Sequence, residues 1–395
     1  MNQNGRFQQI FISKSSLLDP VTEEILSSYP RRIQRIVPDN YDIGVDIQGR
    51  DPKNILYLTR SKGDVVKGCP GTAESYLCCN YQVINQTLNC PLNCVYCILQ
   101  FYLNQPATVL FTNFDEIFDE LTQKIALQPE RFFRIGTGEL GDSMALPGSR
   151  LFAGAAIRIF AKIPNAILEL KSKTVNIDEL LGIAHNGRTV LAWSINPQDI
   201  ITHEELNTAS LMNRLTAAKR AAEAGFMLAF HLDPVLHYPD WEDLYSRLID
   251  ELYLYIMPEK IAWISMGSLR FPPSMKEKMI ERYPSSILPF GEMIHGMDGK
   301  MRYARPVRVP MYQLIYDKLV QPANPPFIYF CMESKEVWES VMGFSPDSNA
   351  HLDYLFAESL YRRFAGLMAE KPVRDIYEKG FSLEQVPKHR TSPVE

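Results

Sequence analysis

The stretch Asn89–Cys97, NCPLNCVYC, decides how the fold of this 395-residue chain is interpreted. Its cysteines have the spacing C-x3-C-x2-C and come just after Tyr81–Gln86, a β-rich run that we predict to be a strand. Three thiolates on one short loop can converge on one face of a cubane iron–sulfur cluster. The sequence therefore predicts a [4Fe–4S] cluster on Cys90, Cys94 and Cys97, with one iron left without a protein ligand.

That vacant iron suits a chelating amino acid. The methionyl amine and carboxylate of S-adenosylmethionine (SAM) could bind there, and an electron from the cluster would then cleave the sulfonium and give a hydrogen-abstracting 5′-deoxyadenosyl radical. Two other metal sites remain open. A zinc site would need a fourth ligand, which Cys69, Cys78 or Cys79 could supply. An ordinary electron-transfer cluster would also need a fourth cysteine, and three structural cysteines are the remaining alternative.

Composition narrows the class of protein. The net charge of −5 argues against a chain that coats nucleic acid by charge alone. We find no run of about 18 apolar residues and no secretory signal, so we expect no membrane partner. Six of the seven cysteines fall in residues 69–97. An odd, clustered set favours thiolate chemistry in a reducing cytoplasm over a disulfide framework.

The middle of the chain alternates β-rich runs with helical patterns, which indicates parallel strands joined by crossover helices. This alternation predicts an α/β fold, a partial (β/α)6 TIM-type barrel over residues 81–285, with accessory segments at 1–80 and 286–395. Further strands are expected in the accessory segments, at ILYLTR (55–60) and FIYFCMES (327–334), the latter leading into a helix. The predicted barrel strands are Tyr81–Gln86, Phe132–Gly136, Ala166–Lys171, Thr189–Ile195, Met227–Leu232 and Ala262–Ser268. The predicted helices are Phe114–Leu127, Gly148–Ala161, Ile177–Ala184, Ser210–Ala224 and Trp241–Leu254.

Candidate ligands follow the strands, because parallel strands open an active site at their carboxyl ends. After the second strand comes Gly136-Thr137-Gly138-Glu139. Its glycines would let the backbone approach a ligand, and its carboxylate suits an ammonium group. His231 and Asp233, two residues apart on the fifth strand, are candidates for moving protons or binding substrate; a structural hydrogen-bonded pair is the alternative.

The cysteine motif, with Tyr96 before its last cysteine, resembles the radical SAM superfamily. A narrower resemblance is to the spore photoproduct lyase family, over roughly Lys67–Tyr283. It rests on Lys67–Pro70, Cys79–Tyr81, Leu99-Gln100, Lys171–Lys173 and Trp193–Asn196. The resemblance implies a [4Fe–4S] cluster, SAM as cofactor and repair of a thymine–thymine crosslink in DNA. The SAM contacts that it implies are Tyr96, Gly136, Thr137, Gly138, Glu139, Lys173, Ser194 and Asn196.

Two departures from that family concern its hydrogen relay. The family has a cysteine just after the second strand, but residues 138–142 contain none, and Glu139 stands near its place. The family also has tyrosines on both sides of the last cluster cysteine, whereas here Tyr96 is followed by Ile98. We therefore take Tyr96 and Glu139 as candidate catalytic residues. Cys331 is a candidate substitute for the relay cysteine, and a small buried hydrophobe is its alternative role.

A basic stretch in the C-terminal accessory segment, together with Arg270 before it, predicts contacts with nucleic acid. Basic side chains with an aromatic neighbour could grip phosphates and stack a base, while a solvated basic face is the alternative. The function expected from the resemblance is DNA photoproduct repair, with flavodoxin or ferredoxin as electron donor. A radical SAM enzyme for a small metabolite or an RNA base, and a non-catalytic metal-binding module, are the competing hypotheses. The candidate DNA contacts are Arg270, Lys300, Arg302, Tyr303, Arg305 and Arg308.

Overall fold

The structure is a computed structural model that describes residues 7–47, 49–69, 75–102 and 106–380. Its strands are β1 (Gln9–Ser13), β2 (Gln34–Val37), β3 (Ile55–Thr59), β4 (Val66–Gly68), β5 (Gln82–Ile84), β6 (Thr87–Leu88), β7 (Asn93–Cys94), β8 (Thr108–Phe111), β9 (Phe133–Thr137), β10 (Ala166–Ser172), β11 (Thr189–Ser194), β12 (Glu205–Leu206), β13 (Met227–Val235), β14 (Ile261–Ser268), β15 (Arg270–Phe271), β16 (Ile294–His295), β17 (Met301–Arg302) and β18 (Phe327–Phe330).

The helices alternate with the longer strands, as expected for crossover connections. They are α1 (Pro20–Ser27), α2 (Leu99–Tyr102), α3 (Phe114–Ala126), α4 (Pro147–Phe160), α5 (Gln198–Glu204), α6 (Leu211–Glu223), α7 (Trp241–Tyr255), α8 (Met275–Arg282), α9 (Arg305–Leu319), α10 (Lys335–Met342), α11 (Asn349–Arg363) and α12 (Arg374–Glu378).

The main sheet has the order β18-β14-β13-β11-β10-β9-β5-β4. Neighbouring strands from β5 to β18 pair in parallel, and β4 closes one edge antiparallel to β5. The six predicted barrel strands correspond to β5, β9, β10, β11, β13 and β14. The prediction of a partial (β/α)6 barrel is therefore confirmed. The predicted C-terminal strand is confirmed as β18, and it adds a seventh parallel strand to the sheet.

Helix α6 shows how the local sequence sets an element of the barrel. Leu211, Leu215 and Ala218 recur at helical spacing and are buried, so this stripe faces the core. The Ser210 side chain caps the helix by accepting a hydrogen bond from the backbone N–H of Asn213. Gly225 has a positive φ of 90° just past its end. The chain can therefore turn there and enter β13 directly.

The predicted helix at Ile177–Ala184 is wrong. The chain there forms turns in which Leu180 N–H donates to Ile177 O, at 2.8 Å, and Ile183 N–H to Leu180 O, at 3.0 Å. These are i→i−3 bonds rather than the i→i−4 bonds of an α-helix. Gly182 lowers the helix propensity of this run, which favours turns there.

A second sheet, of order β2-β1-β3-β8-β6, lies on the amino-terminal side. Its first four strands pair in parallel, and β6 pairs antiparallel with β8. Sheet membership crosses the expected segment limits, because β6 and β8 lie after residue 80 while β4 and β18 of the main sheet lie outside 81–285. The segment limits themselves stay a prediction. Among the described residues, no helix is long and apolar enough to cross a membrane.

Candidate active site at the mouth of the barrel

The cysteine loop is attached to the segment that follows β11. Strand β7 within the loop pairs antiparallel with β12, so that Cys94 lies opposite Glu205 and Asn93 opposite Leu206. The backbone N–H of Val95 also donates to Glu204 O at 2.9 Å. This pairing brings the cysteines next to polar side chains at the carboxyl ends of β10 and β11.

Backbone bonds fix the shape of the loop itself. Asn89 adopts a positive φ of 71°, and its side-chain oxygen accepts from the N–H of Cys90 at 2.9 Å. The carbonyl of Cys94 accepts from the N–H of Cys97 at 3.1 Å and from the Gln100 side chain at 2.7 Å. The ammonium of buried Lys53 donates a hydrogen bond to the Leu92 carbonyl. The loop is thus held in place by contacts within the protein.

The three thiols of this loop fit an iron–sulfur cluster. All are free, and Cys90 and Cys94 are buried while Cys97 is partly exposed. Burial raises the pKa of Cys90 and raises the pKa of Cys94 to about 12, and Lys53 opposes both shifts. Iron binds cysteines as thiolates. Iron bound in this loop would therefore offset the cost of burying the charged sulfurs.

A mononuclear metal site receives no support from the geometry. In the parts of the chain that the structure describes, no three His, Cys, Asp or Glu side chains are placed to hold one metal ion. A single zinc needs its ligands around one point, whereas cubane cysteines bind different irons and lie farther apart. The donor set of Cys90, Cys94 and Cys97 therefore suits a cluster better than the zinc alternative.

Glu205 organises the cluster side of the mouth. Its carboxylate is fully buried and pairs with Lys173 Nζ at 3.1 Å and Arg214 Nη2 at 2.7 Å. It also accepts hydrogen bonds from the Tyr96 hydroxyl and, at 3.0 Å, from Asn196 Nδ2. Burial by itself would raise the pKa of Glu205, but Lys173 and Arg214 hold it well below its usual value. Sequence reasoning missed this residue.

Four of the predicted SAM contacts are brought together here. Lys173 Nζ lies 3.1 Å from the Tyr96 hydroxyl as well as from Glu205. Asn196 is fixed from its other side, because its Oδ1 accepts from the Tyr245 hydroxyl at 2.9 Å. Ser194 is buried, and its carbonyl accepts from Arg214 at 2.9 Å. Tyr96, Lys173, Ser194 and Asn196 thus lie around the Cys94 side of the loop.

Two contacts of the backbone explain the glycines at the end of β9 and directly after it. A Cβ atom at Gly136 would meet the Tyr81 hydroxyl at 1.7 Å, and Gly138 has a φ of +99°. Both positions therefore require glycine whatever ligand approaches. The Thr137 hydroxyl donates to the Ser143 hydroxyl at 2.6 Å. Within the protein, the Glu139 carboxylate pairs with the ammonium of Lys171 at 2.9 Å.

Asp142 connects this segment to the end of β10. Its carboxylate accepts from the Ser172 hydroxyl at 2.8 Å and from the backbone N–H of Lys173 at 2.9 Å. Burial raises the pKa of Asp142, and these hydrogen bonds oppose the shift. Asp142 therefore positions the backbone from which Lys173 reaches Glu205.

The opposite side of the mouth contains a second polar network. His231 Nε2 lies 2.6 Å from Glu169, and its Nδ1 lies 2.7 Å from the Ser265 hydroxyl. Burial would raise the pKa of Glu169, but the neighbouring His231 and Arg134 lower it to about 2. His231 is therefore held from both ring nitrogens, by Glu169 and Ser265 rather than by Asp233.

Asp233 and Cys331 share one arginine at the edge of this network. Arg270 donates to Asp233 through both terminal guanidinium nitrogens, at 3.1 and 3.2 Å. Its Nη2 also lies 3.3 Å from the Cys331 sulfur. Cys331 follows β18 directly, so the strand itself brings this thiol to the mouth. The role of Cys331 in hydrogen transfer stays a prediction.

The predicted basic strip is not a continuous surface. Arg302, Tyr303 and Arg308 are buried, so their burial does not support the expectation that they grip DNA at the surface, and their role as DNA contacts stays a prediction. Arg302 pairs with Asp298 at 2.9 Å, and Arg308 with Glu333 at 3.0 Å. A buried guanidinium must be neutralised, and these acids satisfy that need. Lys300 is partly exposed beside Asp298, and Arg305, at the start of α9, is exposed.

The open parallel sheet, with a three-cysteine loop after its first barrel strand, defines the class: a partial barrel of the radical SAM kind. The model of the spore photoproduct lyase family matches residues 73–318. That match covers more than half of the chain, so the chain belongs to the spore photoproduct lyase family.

Named relatives and solved structures agree with this placement. The spore photoproduct lyase of Clostridium acetobutylicum is 24% identical over 79% of this chain and 91% of its own length. That of a Geobacillus species is 28% identical over 51% of this chain, and the match spans only 60% of that relative. A solved spore photoproduct lyase complexed with dinucleoside spore photoproduct superimposes with a TM-score of 0.72 at 22% identity, covering 82% of this chain and 98% of that one.

Proposed function

We propose that this chain is a radical SAM enzyme that repairs thymine-dimer-type DNA lesions of the spore photoproduct class. The observation that carries the proposal is the position of the cysteine loop. Its pairing with β12 places Cys94 opposite Glu205, whose carboxylate bonds Tyr96, Lys173 and Asn196. Membership of the family and the names of the relatives support the same activity. The solved relative with bound AdoMet and dinucleoside spore photoproduct supports both the cofactor and the substrate.

Cys90, Cys94 and Cys97 would hold the [4Fe–4S] cluster, and SAM would bind at its open iron. Bound together, the two groups supply the one-electron chemistry that makes a hydrogen-abstracting radical. Lys173 lies 3.1 Å from the Tyr96 hydroxyl of the loop, and its ammonium would pair with the carboxylate of SAM. Glu139 would offer its carboxylate to the SAM amine, with Lys171 orienting that carboxylate.

Tyr96 and Glu205 set the geometry around Lys173. The Tyr96 hydroxyl donates to Glu205 and lies 3.1 Å from the lysine ammonium, so the lysine is restrained from two directions. The pKa of Tyr96 is raised, first by burial and then by the Glu205 charge. The phenol therefore keeps its proton at neutral pH, and it can donate a hydrogen bond in the resting site. Its proposed catalytic role rests on this position beside the loop.

A lesion in duplex DNA must leave the base stack to reach the mouth. The side formed by His231, Asp233 and Arg270 would receive the extruded dinucleotide, because these polar groups lie at the carboxyl ends of β13 and β14. Exposed Arg305, with Lys300, would contact the flanking phosphates. We place the protein in the cytoplasm, with a flavodoxin or ferredoxin as electron donor.

Repair of a defined dinucleotide photoproduct tests this function. The anaerobically reconstituted protein, with dithionite and SAM, should convert the dinucleotide spore photoproduct to two thymidine units. Deuterium at the abstracted position should appear in 5′-deoxyadenosine. Cleavage of SAM without conversion of the lesion would contradict the DNA-repair proposal and favour a different substrate.

A salt series separates the DNA substrate from a small metabolite or RNA base. Affinity for lesion-containing duplex should fall linearly with log salt concentration, since phosphate contacts release counterions. A flat dependence would contradict binding to duplex DNA. The net charge of −5, and the burial of Arg302, Tyr303 and Arg308, favour the non-DNA substrate as the second candidate.

A further inference from the structure

Helix α8 lies against the short helix α2 that follows the cysteine loop. The Lys278 ammonium is 5.2 Å from the centre of the Phe101 ring. The hydroxyl of Tyr283, directly after α8, donates to Gln100 Oε1 at 2.9 Å. Gln100 Nε2 donates in turn to the Cys94 carbonyl at 2.7 Å. A continuous set of hydrogen bonds therefore connects the end of α8 to a cysteine of the cluster loop.

The burial pattern of α8 decides which of its side chains reach solvent. Met275 and Met279, four residues apart, are fully buried, so they form the stripe that packs on the core. Lys278 and Arg282 are also four residues apart; both are exposed and lie along one edge of that stripe. The contact of Lys278 with α2, and the pair of Arg282 with Asp51 at 3.2 Å, place this edge on the side of the cysteine loop.

The positive charge of this edge is only weakly neutralised within the protein. In the described parts of the chain, Lys278 forms no ion pair, not even with the glutamates of its own helix. The side chains of Arg282 and Asp51 are 39% and 35% exposed, and water screens a pair of that kind. Buried Lys53 adds a positive charge on the same side, where its ammonium donates to the Leu92 carbonyl of the loop.

The proposed cluster must accept an electron before SAM is cleaved, so a reduced donor has to come close to the cysteine loop. Complexes between electron-transfer proteins are transient and bury little surface. Complementary charge therefore has a large part in bringing the partners together. The positive edge of α8 fits a donor with an acidic surface. Its connection to Cys94 favours such a protein over nucleic acid, whose proposed phosphate contacts are Lys300 and Arg305.

We propose that Phe101, Lys278 and Arg282 form the docking surface for a small acidic protein that donates one electron to the cluster. The inference rests on the cluster and SAM of the proposed function, and it does not depend on the DNA lesion. One electron leaves the reduced flavin or iron–sulfur centre of the donor and lowers the charge of the cluster by one. No bond forms or breaks in this step. The contacts that lead from Tyr283 to Cys94 connect this surface to the cluster.

Charge reversal at Lys278 tests this surface in the cluster-loaded protein. The probe is a reduced plant-type [2Fe–2S] ferredoxin, with flavodoxin hydroquinone as a second donor. We expect Lys278→Glu to slow reduction of the cluster, followed by stopped-flow absorbance, by roughly tenfold at low salt. Binding of oxidised ferredoxin, measured by titration calorimetry, should weaken by a similar factor. Both differences should shrink at high salt, because ions screen exposed charges.

Lys276→Glu is the matched control, because it makes the same change of charge at another exposed lysine of the same helix. Two residues correspond to about 200° of rotation around a helix, so Lys276 lies on the other side of α8. Its rate of reduction by ferredoxin should stay within about twofold of the wild type, since it lies outside the docking surface. Dithionite should reduce the cluster equally fast in the wild type and in both variants.

The possible outcomes separate the docking surface from the proposed function. Wild-type rates in Lys278→Glu, equal losses in the two variants, or a wild type that dithionite reduces but neither donor protein does, would overturn the docking surface. Weaker binding of duplex DNA by Lys278→Glu, with reduction by ferredoxin unchanged, would also overturn it and assign the surface to nucleic acid. A wild-type protein that dithionite cannot reduce would instead contradict the cluster, and with it the proposed function.

Discussion

The two sides of the barrel mouth bury charge in different ways. On the cluster side, Lys173 and Arg214 converge on the single carboxylate of Glu205. On the opposite side, Arg270 pairs with Asp233 and Arg308 pairs with Glu333, one acid to one base. The comparison teaches that a shared carboxylate can orient a group of ligands around the cysteine loop. Where one arginine pairs with one carboxylate, its charge is neutralised within the protein. The sequence alone suggests that the same arginine is available to bind phosphate.

Cys94→Ala should have the largest effect, because it removes a thiolate from the loop of the cluster side. We expect iron to fall from ~4 per chain to below about 1, with SAM cleavage lost. Iron and sulfide analysis of the anaerobically reconstituted protein measures this. The control Cys331→Ala, on the opposite side, should keep its iron. Full iron loading and SAM cleavage in Cys94→Ala would refute the assignment of the cluster.

Glu205→Gln should destabilise the protein by about 3–5 kcal/mol, because two buried cations would lose their shared counter-charge. The free energy of unfolding in urea measures the change, and reduced iron loading should accompany it. Glu139→Gln is the matched control, since its pair with Lys171 is partly exposed and should contribute about 1 kcal/mol or less. Equal losses in the two variants would show that the shared carboxylate has no special role.

Arg308→Met and Arg305→Ala compare a buried arginine of the basic strip with an exposed one. The first leaves Glu333 buried without its partner and should cost about 3 kcal/mol of stability, with the salt dependence of DNA binding unchanged. The second removes an exposed charge and should leave stability within about 0.5 kcal/mol. Its slope of log affinity against log salt should fall by about 1. A reduced slope in Arg308→Met would mean that this arginine reaches phosphate after all.

Glu169→Gln should have a smaller and pH-dependent effect. The pKa of Glu169 is lowered to about 2, below the ordinary value of 4.5, so its ionised form stabilises the folded state. That stabilisation is complete above the ordinary value and is lost as the pH falls towards 2. We expect a cost of about 2 kcal/mol at pH 7 that shrinks below pH 4.5. Urea unfolding at several pH values measures it, and a constant difference down to pH 3 would contradict the ionised pair.

Local patterns were enough for much of the fold. Alternating β-rich and helical runs placed the six barrel strands, and the apolar stripe of α6 identified a helix that packs on the sheet. The failure at Ile177–Ala184 has a local cause, because Gly182 favours turns over a helix there. The strand at Phe327–Phe330 was predicted, but its place in the main sheet was not, since strand order depends on contacts between distant parts of the chain.

The candidate site likewise has residues that the sequence identified and residues that it did not. Spacing alone identified Cys90, Cys94 and Cys97, because ligands on one loop are close in sequence as well as in space. Glu205 gave no signal, since a glutamate in the polar run HEEL has the pattern of an exposed helix. Arg302 and Arg308 suggested a basic surface because the acids that neutralise them lie on other elements. Glu333 is 25 residues from Arg308 in the sequence.

The sequence by itself determined the cysteine loop, the alternation of strands and helices, and the glycine turn after β9. Each depends on residues that are neighbours along the chain. Only the tertiary structure decided which charges are buried and which carboxylate neutralises Lys173. Burial and ion pairing depend on distances between residues far apart in sequence, and those distances exist only once the chain has folded.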